Sequence, residues 1–265
     1  MRGNTLQALA IFLLSLSTLA LGACNDKEPE ADLTAGRPVM RVLFVGNEHT
    51  LLHHMPYMLQ LLAENDPTAS FKVEIGVHAA PKASLAQLWN NPNTKVVMHE
   101  KKWDYVVIQP QHLWASSEGS VFLTRKAISV WSNAILAIGA QPVIMTTWAP
   151  HVTHSIYGTP KYLNLKNPKN MNRITRGYTK AIAEKYGLLV VPVGDYWTYA
   201  TTEVPDIALH DVDGSSPTLH GAYLTALVLY KTLVDKSIHD SSYDGGGIQQ
   251  ETRDKIISIV SKNFK

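Results

Sequence analysis

Short apolar runs alternate along the chain with longer segments whose apolar residues recur at helical spacing. The runs at 39–46, 71–77, 104–109, 142–148 and 188–194 are rich in Val and Ile, which predicts strands buried on both faces. Between them, "LLHHMPYMLQLLAEN", "KASLAQLWNN", "SVFLTRKAISVWSNAILAIG" and "KNMNRITRGYTKAIAEKYG" are each long enough for a helix. Gly139 and Gly187 close two of these in the usual C-terminal position. "TLHGAYLTALVLYKTLVD" and "QQETRDKIISIVSKNF" predict two more helices, and no internal repeat is present. Such alternation implies an α/β fold, a doubly wound parallel sheet flanked by helices in a three-layer sandwich. Sheets of this kind bind ligands at the carboxyl ends of their strands. Those ends carry Gly46-Asn47-Glu48-His49, Gly76-Val77-His78, Gln109-Pro110-Gln111-His112, Trp148-Ala149-Pro150-His151 and Asp195, with the loop "LHDVDGSSP" as a further candidate.

The pattern is different ahead of residue 39. Arg2 followed by "ALAIFLLSLSTLALGAC" has the layout of a secretory signal, too short and too early for a membrane-spanning helix of the folded domain. Leu21-Gly22-Ala23-Cys24 resembles a bacterial lipobox, which implies a signal peptide at 1–23 and a lipidated Cys24. The chain has one cysteine, so it can form no internal disulfide, and lipidation gives the thiol a use. The polar, Pro- and Gly-containing stretch 24–38 reads as a tether, leaving 39–265 as one domain. A hydrophobic fraction of 45% is enough for one good core. The expected location is the bacterial cell envelope, anchored in the membrane through Cys24, at the outer membrane or the periplasmic face. A formal net charge of +2 provides no basic field for nucleic acid.

Four blocks carry a family resemblance. "RVLFVGNEHTLLHHMPYMLQLL" resembles a strand, Gly-Asn/Asp-Ser and a helix; "KASLAQLWN" resembles a block whose glycine donates a backbone N–H to an oxyanion. "WDYVVIQPQ" sits where a strand leads to a polar oxyanion-hole residue, and "DVDGSSPTLHGAYLTALVLY" resembles Asp-Gly-x-His-Pro-Ser followed by Gly-x-Tyr-Leu. The order of these blocks is similar to that of the SGNH, or GDSL-like, hydrolase superfamily, over most of the chain from Met40 to about Asp235.

Carried over residue by residue, the resemblance places Glu48 at the nucleophilic serine and Ser216 at the histidine, with the oxyanion glycine near Lys82. It leaves Asp213 as the retained acid and Asn47, Gln109 and Gln111 as retained polar groups. Serine acylation needs an oxygen nucleophile, a base within reach and donors for the oxyanion. Glutamate attacking a carbonyl gives an anhydride, a poor intermediate for ester hydrolysis, and the usual serine esterase mechanism is not expected.

The leading expectation is a lipid-anchored SGNH-like protein that binds a glycan or an acylated ligand in the former active-site crevice, through Asn47, Gln109, Gln111, Ser216 and Trp148. The alternative is a carbohydrate esterase with rearranged catalytic residues: Glu48, Asp213 and, one turn beyond Ser216, His220. A third reading places a metal on His49 and His53, four apart and so on one face of a continuous helix. Eleven histidines make such a pair easy to obtain by chance, and the sequence calls for no cofactor. Trp114 and Trp197 join Trp148 as aromatic faces near strand ends, and the polar stretch 150–170 is long enough for a lid. Glu48 also suits plain helix capping, at the positive end of the helix dipole.

Overall fold

The computed structural model describes residues 35–162, 165–234, 237–238 and 240–263. The expected signal peptide, Cys24 and most of the tether lie outside these residues. In chain order the elements are β1 (Val39–Gly46), α1 (Glu48–Leu51), α2 (Met55–Glu64), β2 (Lys72–Ala79), α3 (Leu85–Trp89), α4 (Asn93–Glu100) and β3 (Tyr105–Ile108). Then follow α5 (Glu118–Ala137), β4 (Gln141–Met145), α6 (Pro168–Tyr186), β5 (Leu189–Val191), α7 (Val193–Glu203), α8 (Leu219–Leu233) and α9 (Gln250–Asn263). Arg37, at the end of the expected tether, is fastened to the domain by donating to the carbonyls of Asp66 at 2.9 Å and Pro67 at 2.8 Å.

The five strands pair in parallel in the order β2-β1-β3-β4-β5, so the expected α/β architecture is observed. Alternation along β1 explains the two layers. Val42 and Phe44 point to one side, where Leu59 and Leu62 of α2 and Leu224, Leu227 and Val228 of α8 cover them. Leu43 and Val45 point to the other, against Leu85 and Leu88 of α3, Ile128 and Trp131 of α5, and Ile182 of α6. Helix α8 is buried without a break from Gly221 to Tyr230, an all-round apolar helix of the kind found in a core.

Three local differences from the predicted elements have physical causes. Proline at 192 cannot donate to a ladder, so β5 stops at Val191 and α7 starts at Val193, where an extended strand to 194 was expected. Helix α4 forms over a stretch for which no helix was predicted. The helix expected across 51–65 is broken: His53 and His54 both take φ 53°, and α2 starts afresh with Pro56 in its first turn. His49 and His53 therefore do not share a helix face, which removes the basis for a metal on that pair. Instead His53 Nε2 lies 3.1 Å from the carbonyl of Pro217. Among the described residues no group of three His, Cys, Asp or Glu side chains is placed to hold a metal ion.

Candidate functional site

The turn after β1 is a braced elbow. Asn47 caps α1 by accepting from the His49 N–H at 3.1 Å, while its own N–H donates to Gln109 Oε1 at 3.1 Å. The Thr50 hydroxyl donates to the same oxygen at 2.9 Å. Gln109, at the end of β3, thus holds the elbow from beneath. It was expected to touch ligand, but it is only 2% exposed and its carbonyl is already fully used. Gly46 is obligatory here, because a Cβ would lie 2.7 Å from Gln109 Oε1 and closer still to the Thr50 hydroxyl. Gly46→Ala is expected to lower stability by about 2 kcal/mol through overpacking. A denaturant midpoint unchanged from the parent would show that the elbow can move aside.

Glu48 emerges from this elbow into the crevice. Its Oε2 accepts the backbone N–H of Lys82 at 2.5 Å. Lys82 has φ 61°, a left-handed conformation better suited to glycine, and its carbonyl accepts from Gln111 Nε2 at 3.1 Å. The amide at the position where the family's oxyanion glycine was expected is therefore engaged by the side chain at the nucleophile position. A fixed carboxylate occupies a donor that would otherwise be free to meet developing negative charge.

On the opposite side, Asp213 does not orient an imidazole. One oxygen accepts the amides of Ser215 at 2.8 Å and Ser216 at 2.7 Å, and the other accepts the Ser216 hydroxyl at 2.6 Å. Burial acts to raise its pKa, but these hydrogen bonds outweigh it and leave the carboxyl below its usual value. Ser216 is consequently a partner of Asp213 and holds the turn. The structure does not bring His220 to Glu48 or Asp213: its Nδ1 faces the carbonyl of Ala208 at 3.4 Å. The imidazole expected one turn beyond Ser216 thus points elsewhere.

Imidazoles do lie between the two acids, but they come from His49 and His112. The His49 ring packs 4.9 Å from His112 and 5.0 Å from Trp148. Its Nδ1 is 3.9 Å from Glu48 Oε1, and neither ring nitrogen has a well-formed hydrogen bond, the Ser215 backbone being a polar neighbour at poorer geometry. Burial holds its pKa below the ordinary histidine value, although Glu48, the Ser215 backbone and Asp213 favour the charged form. His112 Nε2 sits 3.3 Å from the Ser215 hydroxyl. Burial, then the neighbouring His49, pushes His112 down to about 4. Both are neutral at pH 7. The sequence signal for His112 was its place at a strand end; its pairing with His49 depends on tertiary packing.

Trp148 was expected to meet ligand, yet it is 2% exposed. It stacks on Trp197 at 4.1 Å with the rings 4° from parallel, and donates from Nε1 to the Ser215 carbonyl at 2.9 Å. It supports the site from behind. The open part of the site is a groove of about 820 Å³ running from Glu48 between α3 and α5. Asn47, Lys82 and Gln111 line its Glu48 end, and Trp89, Trp114 and Leu123 are among the apolar walls. Tyr162, from the stretch expected to form a lid, also lines it; that stretch packs on a small core of Ile156, Leu165 and Met171.

No protein-family model and no curated protein matches the chain in sequence. Solved structures do match. A protein from Slackia heliotrinireducens, described as a candidate SGNH hydrolase, is 28% identical with a TM-score of 0.60, covering 74% of this chain and 99% of its own. A DUF4886 family protein from Bacteroides uniformis is 16% identical with a TM-score of 0.69, over 84% of this chain and 94% of its own. An acetylxylan esterase from Geobacillus stearothermophilus is 12% identical with a TM-score of 0.52, over 74% and 93%. The parallel sheet, the elbow after its first strand and these likenesses agree: the chain is an SGNH-like superfamily member, built on the α/β fold of the SGNH hydrolases.

Proposed function

We propose that this protein is an SGNH-like binding protein of the cell envelope, held to the membrane through a lipidated Cys24, which takes a glycan or an acylated ligand in the groove beside Glu48. The observation that carries the reading is the Glu48 carboxylate on the Lys82 amide. Nucleophile and oxyanion donor have become partners of each other. Asp213 is likewise committed to Ser215 and Ser216, so neither end of a serine relay is available. The groove that remains has apolar walls and a polar end, the composition of a site for an amphiphilic ligand. That an acetylxylan esterase shares the fold favours a carbohydrate-linked ligand.

One observation favours the second reading, a rearranged hydrolase. Glu48 Oε1 lies 3.9 Å from His49 Nδ1, a carboxylate beside an imidazole that could activate water. A single experiment separates the two. The purified protein is assayed on a small acetyl ester and an acetylated xylo-oligosaccharide, beside the double variant Glu48→Ser, Ser216→His and the single variant Glu48→Gln. The expected result is no turnover by the parent, saturable quenching of its tryptophan fluorescence by the oligosaccharide, and ester hydrolysis by the double variant. Asp213 and residue 216 have the spacing that would let an introduced imidazole meet the acid. Turnover by the parent that Glu48→Gln abolishes would establish the hydrolase reading instead.

A further inference from the structure

The chain has six tryptophans, and their indole nitrogens divide into two groups. Four donate within the protein: Trp103 to the Val97 carbonyl, Trp131 to that of Leu85 and Trp148 to that of Ser215, each at 2.9 Å, and Trp197 to the Thr225 hydroxyl at 3.2 Å. None of these four lines the groove beside Glu48. Trp89 and Trp114 both line it, and among the described residues neither Nε1–H has a hydrogen-bond partner. Nor is either nitrogen among the partnerless polar atoms that are cut off from solvent. The two indoles that wall the groove are thus the two that keep an accessible donor.

For Trp114 the open donor is unexpected, because the residue is only 3% exposed. An indole buried to that extent ordinarily finds an acceptor, since its N–H can only donate and is costly to leave unpaired. Both rings are held in place. Trp89 meets Trp131 edge to face at 5.2 Å, with the planes 79° apart, and Trp114 packs 6.3 Å from Tyr178. Asn90, at the end of α3, and Thr124, on α5, line the same groove, and their side chains make no hydrogen bond among the described residues. Fixed donors therefore alternate with apolar wall such as Leu85 and Leu123.

We infer that the part of the ligand lying in this groove is a glycan chain, whose ring or hydroxyl oxygens accept from Trp89 and Trp114 Nε1. The inference rests on the binding function proposed above and decides between its two kinds of ligand. An acyl chain in the groove would cover both N–H groups with methylenes, removing their water and giving nothing back. A sugar chain carries acceptor oxygens along its length and presents C–H faces between them. It can satisfy the indole donors and the apolar walls together.

The test is NMR of the full chain labelled at the indole nitrogens, titrated with xylotetraose, cellotetraose, chitotetraose and methyl hexanoate. Trp89→Phe and Trp114→Phe keep an aromatic ring, remove the N–H and so identify the two signals. Without ligand these two are expected to exchange with water faster than the other four. A tetrasaccharide should shift both and slow their exchange, while methyl hexanoate leaves them in place. Each Phe variant should weaken the bound sugar about threefold to tenfold, the worth of one hydrogen bond. If one variant fails to fold, the other still identifies its signal and the parent still reports the shift. Methyl hexanoate moving both signals as far as a tetrasaccharide does, or in its place, would overturn the choice of a glycan and leave the binding function standing with an acylated ligand. Sugar binding that moves neither signal, or that is equally tight in the parent and both variants, would overturn the indole contacts alone. No binding of any of the four at millimolar concentration would overturn both this inference and the function it rests on.

Discussion

Acidifying the protein from pH 7 to pH 4 is expected to remove about 3 kcal/mol of folding stability through His112 alone. The folded protein holds this imidazole neutral down to about 4, whereas an unfolded histidine takes up its proton near the model value of 6.5. Below 6.5 the unfolded chain therefore binds a proton that the native state refuses. Stability is complete above that pH and falls as the pH drops toward 4. The gap between the two values sets the magnitude, at about 1.4 kcal/mol per pH unit. His49, also depressed by burial, adds to the loss in the same direction. Asp213 does not contribute in this window, because its lowered pKa matters only below its model value of 3.8. Urea titrations at half-unit steps of pH would read the slope, and His112→Gln should flatten most of it. A midpoint independent of pH between 6.5 and 4.5 would mean that these imidazoles are not buried as neutral groups.

Trp148→Ala is expected to cost about 4 kcal/mol, the middle of the range for removing a buried aromatic ring. The ring is stacked on Trp197, forms a wall of the His49 site and satisfies the Ser215 carbonyl, so its loss leaves a void and an unpaired acceptor at once. Gln111→Ala, at an exposed position in the groove, should cost well under about 1 kcal/mol. The contrast separates a supporting side chain from a ligand-facing one, and a loss below about 1 kcal/mol for Trp148→Ala would overturn the supporting role.

The fold was legible because its strands are buried on both faces and therefore read as continuous Val- and Ile-rich runs, as in "RVLFVG" and "WDYVVIQ". The break before α2 was also written in the chain: a continuous helix would have put Pro56 in its interior, and the left-handed His53 and His54 avoid this. The start of α7 was hidden because 188–194 reads as a single strand run, whereas Pro192 ends the strand and Gly194, already in the helix, packs closely on Asn172. At the site, the positions of Glu48, Asp213 and Ser216 followed from motif order. Their partners did not. Glu48 meets a backbone amide whose direction depends on the φ of Lys82, and His49 meets His112 from another strand end. Neither a backbone direction nor a contact between distant segments has a residue-type signature. Trp148 and Gln109 were misread for a related reason: a strand end can face the crevice or the layer beneath it, and only burial decides.

On the binding function proposed above, the Glu48 to Lys82 contact would also bias the crevice against anions. A carboxylate attached to the same chain competes with any incoming anion for that amide at a very high effective concentration, and a dissolved acid cannot match it. Linkage then works in both directions: whatever draws Glu48 away from Lys82 raises the affinity of the crevice for anions, and an anion bound there favours the displaced carboxylate. The crevice should accordingly discriminate against free acids, including the product that ester hydrolysis would release, and retain intact neutral esters and hydroxyl-bearing ligands.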